Sequence, residues 1–158
     1  MNHIEKLNKT IDILFGIGVS KSLPKDIEIK LSKKTGRIRS VYHNGTLLFT
    51  PRSDGGLALT RYCATLFLKN KKFRDNCIQI DLESKSFVEK GRSVFCHHVI
   101  SCGKNIKIGS DVPVLFKNTV VGVGKAVLSS KMILAQQSGV AVKIRDSLKS
   151  HTDGDFSS

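Results

Sequence analysis

The sequence predicts an α+β protein, in which a small α/β domain with a β-hairpin precedes a mixed β-barrel with two short helices. Three observations lead to this fold class. Apolar residues near the start recur at helical spacing, Asn44-Gly45 marks a tight hairpin, and short β segments with two helical stretches fill the second half. The 158 residues suffice for two small domains. We expect domains at 1–76 and 77–148, and a disordered tail at 149–158.

The first domain is predicted to begin with an amphipathic helix. Five residues follow the three- and four-residue spacing that places side chains on one face of a helix: Ile4, Leu7, Ile11, Leu14 and Phe15. Gly16 and Gly18 end the pattern, because glycine favours helix termination. We therefore expect a helix that packs through this apolar face.

The sheet of the first domain is predicted from strand and turn signals. Three strands are expected, at 27–31, 37–42 and 46–50. Asn44-Gly45 joins the second and third strands, because a type I′ turn needs positive φ at both central residues. Ile38 and Val41 cannot both face the core without a β-bulge. Thr60 is expected to cap a second helix that extends to residue 68.

The second domain is predicted from a change of pattern after the polar, basic run at 69–76, which we interpret as a linker or loop. Strands are expected at 77–82, 93–100, 111–116, 120–128 and 140–146. Helical segments are expected at 84–90 and 130–137. Gly122 and Gly124 lie inside a valine-rich strand, where glycine indicates either barrel bending or the close approach of RNA.

The net charge is the strongest functional signal in the composition. The chain has 26 Lys and Arg residues against 13 Asp and Glu, a net charge of +13. Residues 1–78 contain 15 of the basic residues and 6 of the acids, so most of the excess lies in the first half. A basic surface of this size attracts polyanions, and nucleic acid is the first candidate. A generic basic surface that only maintains solubility is the alternative.

Membrane binding is disfavoured by the arrangement of the charges. The basic residues do not follow one long amphipathic helix with aromatic residues opposite, and no apolar run approaches the roughly 18 residues of a membrane-spanning helix. The first ten residues lack the pattern of a secretory signal. We therefore expect a cytoplasmic protein without a membrane partner.

Catalytic, cofactor and metal sites are not predicted. The acids are dispersed, and no phosphate-binding loop pattern is present. Cys63, Cys77, Cys96 and Cys102 include no CxxC pair. If 93–100 is a strand, Cys96 and His98 share one face and His97 takes the other. A buried thiol beside surface histidines explains this segment better than a zinc site.

Four segments of the second half resemble the PUA domain, an RNA-binding module named after pseudouridine synthase and archaeosine transglycosylase. These segments are FVEKGRSVFCHHVI (87–100), DVPVLF (111–116), VGVGKAVLSS (121–130) and GVAVKIR (139–145). The resemblance implies a PUA-type β-barrel. It also implies an RNA-binding surface built from the turn after its first helix and from its last strand.

The first half resembles the small domain that precedes the PUA domain in archaeal archaeosine tRNA-guanine transglycosylase. The matching segments are IDILFGIGV (11–19), SKKTGRIR (32–39) and PRSDGGLALT (51–60). Ile13-Leu14 and His97-His98 depart from the residues usual in that family. A chain of 158 residues cannot hold the catalytic barrel of about 250 residues that such an enzyme needs. The resemblance implies a non-catalytic tRNA-binding protein of tRNA modification. It would be either the RNA-binding subunit of a split transglycosylase, with a separate catalytic chain as partner, or a stand-alone relative with the same fold.

The predicted RNA-binding residues form two groups. The resemblance assigns one group to the PUA surface: Lys90, Gly91, Arg92, Ser93, Val94, Phe95, His97, Lys143 and Arg145. The second group, Lys33, Lys34, Arg37 and Arg39, places four cations within eight residues, with Arg37 and Arg39 on one face of a strand. We interpret this stripe as a contact surface for the phosphates of a folded RNA read by shape, and a solvated strand face is its alternative.

Two other functions remain open from the sequence. A small domain followed by a PUA domain is also the layout of ribosome-associated translation factors related to the malignant T-cell amplified and density-regulated proteins. An enzyme that uses the cysteines and histidines is the third hypothesis. Binding to small ribosomal subunits would favour the first of these, and bound zinc or iron would favour the second.

Overall fold

The computed structural model describes residues 2–149 and divides into two compact units. The first unit ends at Phe73 and the second begins at Arg74. Of the tail expected at 149–158, all but Lys149 lies outside the described residues. No helix within residues 2–149 is both long and apolar enough to cross a membrane.

The first unit opens with the predicted amphipathic helix α1 (His3–Phe15). Asn2 caps its start, since the Asn2 side chain accepts a hydrogen bond from the Glu5 amide at 2.8 Å. Of the predicted apolar face, Leu7, Ile11 and Phe15 are buried, whereas Ile4 and Leu14 are 52% and 36% exposed. The helix ends at Gly16, whose φ of 135° is accessible mainly to glycine.

A four-stranded antiparallel sheet follows in the order β1-β2-β3-β4. The strands are β1 (Ile27–Leu31), β2 (Ile38–His43), β3 (Thr46–Pro51) and β4 (Leu57–Leu59). Asn44 and Gly45 have φ values of 49° and 78°, which confirms the predicted hairpin turn. In the pairing of β1 with β2 the register shifts at Arg39, which confirms the bulge expected near Ile38.

Three phenylalanines form the aromatic core of the first unit. Helix α2 (Arg61–Phe67) begins at Thr60, whose hydroxyl accepts a hydrogen bond from the Cys63 amide at 3.3 Å. The rings of Phe67 and Phe73 lie 5.3 Å apart and nearly perpendicular, and Phe15 lies 5.6 Å from Phe73. Burial of Phe73 shapes the polar run at 69–76 into a 3₁₀-helix (Lys71–Asn76) rather than the expected linker or loop.

The second unit is a six-stranded sheet that curls into a nearly closed barrel. Its strands are β5 (Ile78–Ile80), β6 (Val94–Phe95), β7 (Val99–Cys102), β8 (Asp111–Phe116), β9 (Thr119–Ala126) and β10 (Val140–Ser147). The strand order is β6-β10-β9-β8-β5-β7, with β5 and β8 parallel and the other pairs antiparallel. Only a 3₁₀-helix (Cys96–His98) separates the two edge strands β6 and β7, so the edges lie close together.

Two helices complete the second unit, as predicted. Helix α3 (Leu82–Glu89) begins two residues earlier than expected, because Asp81 ends β5 and caps the helix. Helix α4 (Ser130–Ala135) ends before the expected residue 137. Aliphatic side chains from the strands and both helices fill the barrel core, including Ile78, Val88, Val114, Ile133 and Val142.

Gly124 permits the close approach of two barrel strands. A Cβ atom at Gly124 would overlap the backbone carbonyl of Lys143 on β10 and would lie 2.8 Å from Cγ1 of Val142. A Cβ atom at Gly122 would lie 3.0 Å from Cγ1 of Val88 on α3. Both glycines are buried, and close packing of strands and helix within the barrel accounts for them, an explanation that differs from the two expected.

Candidate nucleic-acid interface

A cavity of about 340 Å³ lies beside the C-terminal half of α3 in the second unit. We call it the aromatic pocket, and its lining is formed by Ser84, Phe87, Arg92, Ser93, Phe95, His97 and His98. The side chains of Phe87 and Phe95 remain 41% and 44% exposed. Phenylalanine is usually buried, so two half-exposed rings in one concave surface mark a binding site.

Cationic and aromatic groups face each other within the aromatic pocket. The guanidinium of Arg92 lies 5.5 Å from the ring centre of Phe87, within the range of a cation–π interaction. The rings of Phe95 and His97 are 6.3 Å apart, and those of His97 and His98 are 4.0 Å apart. The pocket therefore presents flat surfaces and positive charge to a ligand.

The turn after α3 determines the position of Arg92. Gly91 has a φ of 86°, and its amide donates to the carbonyl of Val88 at 2.9 Å. The amide of Arg92 turns back and donates to the carbonyl of Phe87 at 2.9 Å. This hydrogen-bonding pattern ends the helix and returns the chain across its last turn, which brings Arg92 over the Phe87 ring.

A contact with Asp81 holds His98, which lines the aromatic pocket. Nδ1 of His98 lies 2.9 Å from Oδ2 of Asp81, and Oδ1 of Asp81 accepts a hydrogen bond from the Ser84 amide at 2.9 Å. Burial acts to raise the pKa of Asp81, but these hydrogen bonds outweigh it and lower the pKa below its usual value. Asp81 therefore carries its charge at neutral pH and orients His98.

Most residues predicted for the PUA surface are exposed around this pocket. Lys90, Gly91, Arg92, Phe95 and His97 are exposed, and Ser93 is half-buried. Phe95 pairs with Val140 across β6 and β10, which brings the last strand beside the turn as the resemblance implies.

Two of the predicted residues contribute to the structure of the barrel instead. The Val94 side chain is fully buried in the barrel core, because alternate residues of β6 face opposite sides, so it cannot contact a base or sugar. Arg145 forms a two-pronged ion pair with the buried carboxylate of Asp111. The guanidinium of Arg145 therefore links β10 to β8 across the intervening strand β9.

Lys125 is a basic residue that sequence reasoning missed. It lies directly opposite Lys143 on the neighbouring strand, and both side chains are exposed. Like charges at opposite positions of an antiparallel pair repel each other, and Asp111, opposite Lys125 on β8, supplies a negative charge beside them. The pairing of Lys125 with Lys143 cannot be read from the sequence, because the register of β9 and β10 depends on the bulge near Arg145.

The four-cation stripe lies at the start of the hairpin in the first unit. Lys33 and Lys34 occupy a turn closed by hydrogen bonds from the Ser32 amide to the Arg37 carbonyl and from the Gly36 amide to the Ser32 carbonyl, at 2.7 and 2.8 Å. All four cations are exposed. Arg39 lies in the bulge of β2, so the strict alternation that would align it with Arg37 is interrupted.

The first unit also contains a cavity of about 580 Å³ that the sequence did not indicate. Lys21 and Lys69 lie at its rim, and His43 forms part of its wall. The two ring nitrogens of His43 contact the Tyr62 hydroxyl at 2.7 Å and the Asp26 carboxylate at 3.1 Å. These residues are far apart in sequence, which explains why no local pattern marked them.

The cysteines and histidines do not assemble a metal site within residues 2–149, where no three potential ligands lie together. The prediction that Cys96 and His98 share a strand face was wrong, since residues 96–98 form a 3₁₀-helix. Cys63, Cys77 and Cys96 are buried, and Cys102 is partly exposed. Burial raises the pKa of Cys77 to about 12.

We expect Cys77 to resist alkylation in the native protein at pH 8, because only a minute fraction would be thiolate. Iodoacetamide should modify the partly exposed Cys102 first, and mass spectrometry of peptides should find all four cysteines modified in urea. Rapid modification of Cys77 without denaturant would contradict the buried position.

Comparison with known proteins identifies both units. Residues 5–73 match the patch-forming domain C2 of tRNA-guanine transglycosylase, and residues 76–148 match the PUA domain. The tRNA-guanine(15) transglycosylase of Thermoplasma volcanium is 34% identical over 145 residues, which cover 90% of this chain and 23% of that enzyme. The chain thus spans about a quarter of the length of the curated relatives it matches.

Solved structures of low sequence identity share the fold. A hypothetical protein of Pyrococcus horikoshii has a TM-score of 0.72 at 18% identity, over 91% of this chain and 89% of its own. A conserved PUA domain protein of Thermoplasma acidophilum has a TM-score of 0.66 at 17% identity, over 90% and 87%. These matches confirm the predicted fold class and the predicted resemblance. The chain therefore contains a PUA domain at residues 76–148, and with the patch-forming domain C2 before it the chain is similar to the C-terminal region of the archaeal tRNA-guanine transglycosylases.

Proposed function

We propose that this chain binds structured RNA, and tRNA first of all, without performing catalysis itself. The aromatic pocket is the observation that carries the proposal. Its half-exposed phenylalanines, its arginine and its histidines match the way proteins recognise unpaired bases, which stack on aromatic rings and guanidinium planes. A cavity of about 340 Å³ has room for one nucleotide.

The surrounding cations would hold the RNA backbone. Lys90 lies on the turn beside the pocket, and Lys143 and Lys125 form an exposed pair on the barrel. Phosphates are bound by lysine and arginine side chains and by backbone amides near glycine, which together set the position of the RNA. In the first unit, the four-cation stripe would contact the phosphates of a duplex region.

Phe95, Arg92 and His97 are the proposed base-contacting residues, and Lys90, Gly91 and Ser93 the proposed backbone contacts. Arg145 acts as a positioning residue, because its ion pair with Asp111 secures the strand that carries Lys143. Val94 supports the site only by packing beneath Phe95.

We further propose that a separate chain performs the transglycosylase reaction, while this chain delivers or holds the tRNA. The similarity of this chain to tRNA-guanine(15) transglycosylases supports a role beside that reaction. Such a role would place the protein in the cytoplasm with its tRNA.

The test compares three RNAs: bulk tRNA, the same tRNA with its single-stranded 3′ end removed, and an unrelated duplex. We expect the native protein to bind intact tRNA most tightly. Trimming the 3′ end should weaken binding, and Phe95→Ala should weaken it similarly, by roughly fivefold to hundredfold, the range for loss of one stacked base. Ile108→Ala, at an exposed residue outside the pocket, is the matched control and should change nothing.

Equal affinity for all three RNAs, with no effect of Phe95→Ala, would mean that the charge of +13 acts as a generic polyanion surface. That result would reject the proposed function.

A further inference from the structure

A second cavity of about 430 Å³ lies at the opposite end of α3 from the turn at Gly91. We call it the second pocket, and its lining is formed by Gln79, Ile80, Asp81, Leu82, Ile100, Ser101, Phe116 and Lys117. Leu82 and Ile100 are 70% and 67% exposed. Two large aliphatic side chains at the rim of one cavity form an apolar surface that water solvates poorly.

Phe116, which lines the second pocket, lies beside two cations. The ammonium groups of Lys85 and Lys117 lie 5.3 and 5.5 Å from the ring centre of Phe116. Cation–π contacts of this length hold both charges beside the ring.

The turn that carries Lys117 is held in place by its neighbours. The amide oxygen of Asn118 accepts hydrogen bonds from Arg74 and Gln79, at 2.7 and 2.8 Å. Lys117 and Asn118 both have positive φ, as a two-residue hairpin turn requires. The backbone of the turn that carries Lys117 is therefore held in place by hydrogen bonds.

The two pockets share one wall. His98 lines the aromatic pocket, Asp81 lines the second pocket, and these two side chains contact each other at 2.9 Å. Asp81 also accepts from the Ser84 amide, so both oxygens of its carboxylate have hydrogen-bond partners. The two pockets therefore adjoin at this contact between a residue of one lining and a residue of the other.

We propose that the second pocket receives a further unpaired nucleotide of the same RNA strand that occupies the aromatic pocket. This inference rests on the proposed function. The base would lie against Phe116 between Leu82 and Ile100, and the phosphate would lie near Lys85 and Lys117. A nucleotide fits because one ligand supplies both the flat apolar surface and the negative charge that this pocket complements.

The experiment measures the affinity of an RNA hairpin that carries a 3′ overhang of zero to four nucleotides. For the native protein, affinity should rise in two increments, as successive nucleotides fill the aromatic pocket and then the second pocket. Each increment should be roughly fivefold to hundredfold, as for one stacked base. Phe95→Ala should remove the first increment.

Two variants test the second pocket without removing core side chains. Ile100→Asp places a negative charge in the pocket, and its control Ile108→Asp makes the same change at a residue that is 66% exposed elsewhere. Lys117→Gly removes a cation and keeps the positive φ of the turn, and Lys131→Ala is its control for charge. Both pocket variants should lose only the second increment, and both controls should keep it.

If Ile100→Asp and Lys117→Gly bind all overhangs like their controls, the second pocket does not hold RNA. If Phe95→Ala still removes the first increment in affinity in that case, the proposed function stands. If overhang length and Phe95→Ala both lack any effect, this inference fails together with the proposed function.

Discussion

Replacing Lys33, Lys34, Arg37 and Arg39 together by glutamine should lower the salt dependence of tRNA binding by about 3.6 in the slope of log K against log salt concentration. This value assumes that each cation contacts one phosphate, since each neutralised phosphate contributes about 0.9 to the slope. Between 50 and 200 mM salt, the native protein should therefore lose roughly a hundredfold more affinity than the variant. All four side chains are exposed, so their replacement should leave the stability of the first unit nearly unchanged.

The control replaces four other exposed lysines of the first unit, Lys6, Lys9, Lys25 and Lys71. Both variants lose four positive charges, so a long-range field would affect them equally. A direct contact of the stripe with phosphates would change the slope only in the first variant. Equal slopes for both variants would reject the stripe as a contact surface and favour a solvated strand face.

Gly124→Ala should destabilise the barrel by about 3 kcal/mol or more, because the added methyl group has no space. Its Cβ would overlap the carbonyl of Lys143, a backbone atom that accommodates the methyl group only if β9 and β10 separate. Urea denaturation followed by circular dichroism would measure the loss in the free energy of unfolding.

Gly122→Ala is the control for this measurement, because it adds the same methyl group where the steric overlap is smaller. Its Cβ would lie 3.0 Å from the Val88 side chain and 3.4 Å from the nearest backbone oxygen, so small rearrangements accommodate it. We expect a loss of about 1 kcal/mol for this variant. A Gly124→Ala protein as stable as the native chain would show that the contact of β9 with β10 relaxes easily.

Local signals predicted much of the fold. The helical spacing of Leu7, Ile11 and Phe15 corresponds to the buried face of α1, and Asn44-Gly45 forms the expected turn. The conflict between Ile38 and Val41 indicated a bulge, and the register shifts at that place. These predictions succeed because each depends on the stereochemistry of a few neighbouring residues.

Predictions failed where distant residues compete with local preference. Residues 93–100 have the composition of one strand, yet residues 96–98 form a 3₁₀-helix that connects the two edges of the barrel. Phe73 lies in a polar run, but it packs against Phe15 and Phe67 and folds that run into a helical turn. Burial of one aromatic side chain outweighs the polar pattern around it.

The candidate site likewise combines features that follow from the sequence with features that only the tertiary structure creates. The sequence alone determined the chemistry: a basic chain, a four-cation hairpin, a glycine turn after α3, and the Phe95 and His97 that follow it. Tertiary structure decided which side chains meet. It placed Phe87 under Arg92, buried Val94, joined Arg145 to Asp111, and set Lys125 beside Lys143. Composition and turn stereochemistry are local properties, whereas strand register and barrel closure depend on contacts between residues far apart in the chain.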